Sequence, residues 1–179
     1  MKIKAQNVRL SFPSLFKTAK FGEQDTGKYE ATFIFDKVEH ADALADIQAK
    51  INGMMKSELK CKIAADKICL KDGDLEGRPE YEGKMTLKAS TRRRPLVIAR
   101  DKSPISEEDN KVYAGCYVNM IVSLWAQNNQ YGKRINAQLD GIQFAADGEP
   151  FGSGGIDADE FDEFDAVDAA DAFDDDVPF

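Results

Sequence analysis

Six cationic side chains and two tyrosines carry most of the chemistry this sequence offers. Arg92, Arg93 and Arg94 are consecutive, Lys88 stands four positions before the first of them, and Lys133 and Arg134 follow closely on Tyr131. Guanidinium and ammonium groups arranged along a groove neutralise phosphates, and exposed aromatic faces stack on unpaired bases for about 1–3 kcal/mol per base. Tyr113 and Tyr131 are the candidate stacking rings, whereas Tyr117 and Trp125 are expected to pack within a sheet. A second collection, Arg9, Phe12, Phe16, Lys17, Lys20, Phe21 and Lys28, interleaves rings with positive charge. Phe12 and Phe16 flank Pro13, and such a pair is expected to plug the end of a barrel.

Other chemistries find little support. His40 is the sole histidine, and the three cysteines, Cys61, Cys69 and Cys116, lack the paired spacing of a zinc site. They read as reduced, small, mostly buried residues. Asp72-Gly73-Asp74-Leu75-Glu76-Gly77 imitates the opening of a calcium loop, but the position of the bidentate acid is Gly83, so the run reads as a turn within a polar connection, Lys71 to Gly83. No phosphate-cradling glycine loop and no nucleophile elbow is present, and neither a metal nor a cofactor is expected. A carboxylate-based, metal-dependent nuclease is the enzymatic alternative, although nothing selects a site for it.

The elements that position these residues are mainly strands. Val8 to Phe12 alternates apolar and polar residues, and Tyr29, Ala31, Phe33 and Phe35 do the same within Lys28 to Phe35. Met85, Leu87 and Ala89 alternate with Lys84, Thr86 and Lys88, so the lysine face is expected to be half-solvated. Leu96 to Ala99 is a short strand, and Val112 to Ala126 is the longest β-like run, with Tyr113, Tyr117 and Trp125 on one face. Asn128-Asn129-Gln130 supplies turn chemistry before a returning strand, Arg134 to Phe144. One helix is expected from Ala41 to about Lys60, because Leu44, Ile47, Ile51, Met55 and Leu59 recur every three or four residues. The fold class is therefore mainly β with one inserted helix. An OB-type barrel is favoured, with a two-layer α+β sandwich fitting the same pattern.

Charge is segregated along the chain. The net charge of −8 hides thirteen acids at or beyond Asp147, eleven of them in residues 157–179 with no basic residue among them; nineteen acids then face all 24 Lys and Arg, leaving the body at +5. Residues 1–146 are read as the binding domain, 147–156 as a flexible Gly-rich linker and 157–179 as a disordered acidic tail. No run approaches the roughly 20 apolar residues of a membrane span, and Met1 to Leu10 does not resemble a signal peptide, so a cytoplasmic location is expected.

The final residues, Asp174, Asp175, Asp176, Val177, Pro178 and Phe179, resemble the tail tip of bacterial single-stranded DNA-binding proteins, with Val in place of Ile. Phe179 offers an apolar plug with a carboxylate beside it, Pro178 stiffens the approach, and the aspartates steer toward basic surfaces. The body resembles a different family, the phage-encoded single-stranded DNA-binding proteins. The resemblance runs through Val8-Arg9-Leu10-Ser11-Phe12-Pro13-Ser14-Leu15-Phe16, Tyr29-Glu30-Ala31-Thr32-Phe33, Arg94-Pro95, Val112-Tyr113-Ala114-Gly115-Cys116-Tyr117-Val118 and Leu139-Asp140-Gly141-Ile142-Gln143-Phe144. It implies an OB-type fold and sequence-tolerant binding of single-stranded DNA in phage replication or recombination. The tail tip is expected to recruit partner proteins of those processes, and the tail, as an extended polyanion, to occupy the groove when DNA is absent. An acidic interaction module or DNA mimic is the competing reading, disfavoured because the negative charge sits on the tether rather than on the body. Oligomeric state is left open.

Overall fold

The structure is a computed structural model that describes residues 1–151. Its first strand, β1 (Lys2–Ser14), is long and doubly irregular, with register shifts between Ala5 and Val8 against one neighbour and between Ser11 and Ser14 against the other. A short hairpin, β2 (Lys20–Phe21) and β3 (Gln24–Asp25), rises from the following loop. Then come β4 (Tyr29–Asp36), helix α1 (Ala41–Met54), a small edge strand β5 (Leu70–Asp72), β6 (Lys84–Thr91), β7 (Leu96–Ile98), β8 (Tyr117–Asn129) and β9 (Gly132–Ala146).

Alternation explains the strands and the barrel they form. Leu10, Phe33, Leu87, Val118, Val122 and Leu139 point to one side and are almost fully buried. β1 pairs with β4 and β8, β4 with β6, and β8 with β9, all antiparallel. The ring closes where β6 meets β9 in parallel, with Ser90 opposite Gln138. Five strands closed in this order make an OB-type barrel, not the α+β sandwich. The helix is inserted between the second and third barrel strands.

The helix is shorter than its apolar repeat suggests. The α-helical part stops at Met54, a π turn occupies Met55–Leu59, and Lys60 ends it in the left-handed region at φ 55°. Ile47, Ile51, Met54 and Leu59 join the core. The helix lies over the end of the barrel where β1 starts and β8 finishes: the Lys50 ammonium reaches the Lys2 carbonyl, and Lys133 Nζ donates to the Leu59 carbonyl at 3.0 Å.

The long β-like run starts as a strand only at Tyr117. Its first residues form a turn in which Gly115 takes φ +110°, and a Cβ there would collide with the Glu149 carbonyl. That close approach comes from the chain beyond β9. The Tyr113 hydroxyl donates to the Gly148 carbonyl, the Phe151 amide donates to the Ala114 carbonyl, and Asp147 to Phe151 lie against the body. Residues 152–179, with the remainder of the expected linker and the whole acidic tail, lie outside the described residues. Among the described residues no helix is long and apolar enough to cross a membrane.

Candidate nucleic-acid interface

The outer face of β1, β4 and β6 is built by register. Arg9, Ile34 and Thr86 form one row across the three strands, and Ser11, Thr32 and Lys88 form the next. This face is less open than alternation alone suggests. The connection from Gly73 to Gly83 folds over it, so that Thr86 is buried beneath Glu76, with Thr86 Oγ1 to Glu76 Oε1 at 3.2 Å, and Ser11 lies beneath Tyr81, with hydroxyls 3.2 Å apart. The polar connection is a lid on the sheet rather than a passive turn. Its carboxylates are engaged by a lysine: Lys37 Nζ bridges Asp72 at 2.8 Å and Asp74 at 2.7 Å, which lowers both carboxyls below their usual range. Among the described residues no three potential metal ligands come together.

Beside the lid lies a cluster of rings and guanidinium groups that the sequence reading divided differently. Phe12 does not plug the barrel. It sits at the β1 irregularity with φ +45°, a conformation costing on the order of 1–3 kcal/mol for a bulky residue, and this turns its ring outward to 52% exposure. The Arg78 guanidinium lies 4.7 Å from the Phe12 ring centre and 5.9 Å from that of Tyr81. Arg9 faces Phe151 at 4.1 Å and Tyr117 at 6.0 Å. Ser11, Phe12, Arg78, Glu80, Tyr81, Ala114 and Phe151 line a concavity of about 190 Å³.

The arginine run stands at the end of β6 on this same side. Arg92, Arg93 and Arg94 are exposed, and the Arg94 guanidinium is 5.7 Å from the centre of the Phe16 ring, which packs partly against the core. The loop from Leu15 to Lys28 therefore meets the arginine loop at Phe16, and the same loop carries Lys17, Lys20 and the 83% exposed Phe21. Lys88 is exposed and 3.5 Å from Glu30, a solvated pair worth little. Among the described residues every ion pair uses a lysine and none uses an arginine. Arginines left without carboxylates keep their donors for phosphate.

The other expected site residues fall elsewhere. Tyr131 is 77% exposed at the tip of the β8–β9 hairpin, with Arg134 exposed beside it and Lys133 half-buried against Leu59 and Cys61. About four residues of β9 separate Arg134 from the Gln138 level where β6 arrives, roughly 13 Å at strand rise. The groove expected to hold all six cations is thus two patches, one around Arg92–Arg94 and one around Tyr131–Arg134. Tyr113 belongs to neither: it is half-buried and its hydroxyl anchors the chain at Asp147 and Gly148. Trp125, expected to pack, is 46% exposed on the outer face of β8. Arg78 and Tyr81 escaped the sequence reading altogether, and the one available signal was an Arg-Pro and a tyrosine inside an otherwise acidic connection.

A family model described as Enterobacter phage Enc34, ssDNA-binding protein, matches residues 1–174. A "putative protein p50" of Acyrthosiphon pisum secondary endosymbiont phage 1 is 37% identical over 166 residues, which is 87% of this chain and 89% of that one. The structure of the single-stranded DNA-binding protein from bacteriophage Enc34 in complex with ssDNA is 32% identical, with a TM-score of 0.77 over 84% of this chain and 89% of that chain. The bacteriophage T7 protein gp2.5, a single-stranded DNA-binding protein, is 15% identical with a TM-score of 0.56 over 91% and 96%, and shares the fold. By the extent of these matches, the chain belongs to the family of phage single-stranded DNA-binding proteins represented by that of Enterobacter phage Enc34.

Proposed function

We propose that this chain binds single-stranded DNA with little sequence preference and serves phage DNA replication or recombination in the host cytoplasm. The observation that carries the reading is a set of arginines without acidic partners among the described residues, the exposed Arg92 and Arg93, Arg94 over the half-buried Phe16 and Arg78 over the outward-facing Phe12, beside the face of the second and third barrel strands. That face, with the loops after the first and fourth strands, is where OB folds take oligonucleotides. Phosphates follow Arg92–Arg94 and Lys88, bases stack at Phe12, and Tyr131, Lys133 and Arg134 prolong the path at the hairpin tip. Stacking platforms accept any base, which makes the binding sequence-tolerant.

Residues 174–179 recruit replication or recombination proteins, and the acidic tail competes for the cationic body when DNA is absent. Support for this is the charge segregation, +5 in the body against eleven acids in residues 157–179. The test is fluorescence anisotropy with labelled oligo-dT and a matching duplex at two salt concentrations, for the full chain and for one ending at residue 156. Tight, salt-sensitive binding to oligo-dT with weak duplex binding is expected, and tighter binding after tail removal at low salt. Absence of oligo-dT binding would overturn the reading, while equal affinities of the two chains would remove only the competition.

A further inference from the structure

The two cationic patches, at the arginine loop and at the hairpin tip, are joined by the outer face of β8 and β9. Ser90, near the end of β6, stands opposite Gln138 of β9, which stands opposite Ser123 of β8 and, beyond it, Lys2 of β1, so four strands share one row. Two residues further along the hairpin Trp125 faces Asn136, and two beyond that Gln127 faces Arg134. These positions alternate with the buried Val122, Leu124, Ile135, Ala137 and Leu139, which fixes their side chains on the outside of the barrel. Trp125 therefore has Gln138 and Arg134 as diagonal neighbours on one side and Lys2 on the other, about 7–8 Å away and within reach of an aromatic side chain. Arg92, two positions beyond Ser90, borders the same face from the β6 side.

This face is open, cationic and centred on a ring. The connection from Gly73 to Gly83 covers Thr86 and Ser11 on the face of β1, β4 and β6, whereas Trp125, Gln138, Arg134 and Lys2 are all exposed. Among the described residues Lys2, Lys4, Arg92 and Arg134 enter no ion pair. Asp140 is the single acid of β8 and β9, and it is engaged by the Ser123 hydroxyl and the Gln138 side-chain amide, which both donate to it. We propose that a bound single strand crosses this face from the arginine loop to the hairpin tip, stacking a base on Trp125 while Lys2 and Arg134 take its phosphates. The patches lie roughly 13 Å apart along β9, an interval that about four nucleotides fill at a stacked spacing of about 3.4 Å. A second copy of the chain is the poorer occupant, because two such faces would bring like charges together. The inference rests on the reading of the chain as a single-strand binder and extends the binding surface beyond the second and third barrel strands.

Trp125 is the only tryptophan, so its emission reports on this face alone. Acrylamide quenching is measured on the full chain with and without oligo-dT, at a salt concentration where anisotropy of the labelled strand shows saturation. A quenching constant roughly three- to ten-fold lower with DNA is expected, since a stacked base covers the exposed part of the indole. By anisotropy, Trp125→Ala should weaken oligo-dT binding roughly 5- to 100-fold. Trp125→Phe should restore most of that loss, and both variants should melt close to the parent, which a merely structural role for the ring would not allow. Lys2→Glu should weaken binding as well and raise the acrylamide access of Trp125 in the bound state. Binding by anisotropy with Trp125 still open to acrylamide, or an alanine variant that binds as the parent does, would overturn the path and leave the function standing. Absence of oligo-dT binding would overturn both. Shielding of Trp125 that grows with protein concentration in the absence of DNA would assign the face to a second copy and also overturn the inference.

Discussion

The two ends of β6 carry cations in opposite circumstances. At its start, Lys84 is hydrogen-bonded to Asp36, whose carboxyl is held far below the usual range by that ammonium and then by the amides of Glu39 and Val38. Lys37 next to it is shared by Asp72 and Asp74. At the end of the same strand, Arg92, Arg93 and Arg94 have no carboxylate within reach among the described residues, and Arg94 lies over an aromatic ring. Counting charges makes the ends alike; following partners separates them. A cation already neutralised by its own protein stabilises the fold, and one held beside a ring with free donors is available to a ligand.

Replacing the three arginines by alanine should break this contrast most sharply. Losing about three phosphate contacts should lower oligo-dT affinity roughly 30- to 100-fold at low salt and flatten the salt dependence by about two log units per log unit of salt, with thermal stability unchanged. Phe12→Gly comes next and should divide function from stability. Binding should weaken by about 1–3 kcal/mol through the lost ring, while the melting temperature should hold or rise, because glycine adopts the positive φ without strain. A melting temperature that fell well below the parent would show that Phe12 packs after all. Tyr131→Ala should weaken oligo-dT binding by about 1 kcal/mol, the low end for a single stacking ring at the second patch.

Asp36→Asn should sharpen the comparison from the other end, leaving oligo-dT affinity unchanged. Because the folded carboxyl is depressed, the stability it contributes is present above the unfolded value near pH 4 and is lost as pH falls through the folded value. The parent should therefore lose stability between about pH 4 and pH 2 in chemical denaturation, and the variant should lose less over that window. Lys88→Ala should be the mildest change, under about 1 kcal/mol in binding, given its solvated pairing with Glu30.

The barrel strands were legible because period-two alternation survives in Leu10, Phe33, Leu87, Val118 and Leu139, each buried for the reason its neighbours are not. The helix was legible for the same reason at period three to four, up to the π turn, which leaves no mark in an apolar repeat. Closure was not, since one parallel register between Ser90 and Gln138 decides it across nearly fifty residues. At the site, the arginine run could be read directly, but the outward turn of Phe12 depends on a backbone angle that residue type disfavours. The value of Arg78 and Tyr81 depends on a connection folding over the sheet. Tyr113 looked like a free ring because the residues that occupy its hydroxyl lie more than thirty positions later.

The doubly irregular β1 also bears on how the chain survives its own synthesis. β1 is translated first and finds β4 soon, yet its other edge waits for β8, so that Lys2 meets Ser123 only after some hundred further residues have been made. At about 5–20 residues per second, that edge is exposed to the crowded cell for roughly 5–25 seconds. An open strand edge is a template for pairing with other chains. The kink at Asn7, with its positive φ, and the exposed lysines at positions 2 and 4 make this edge bent and charged while it waits, a built-in guard against aggregation during translation.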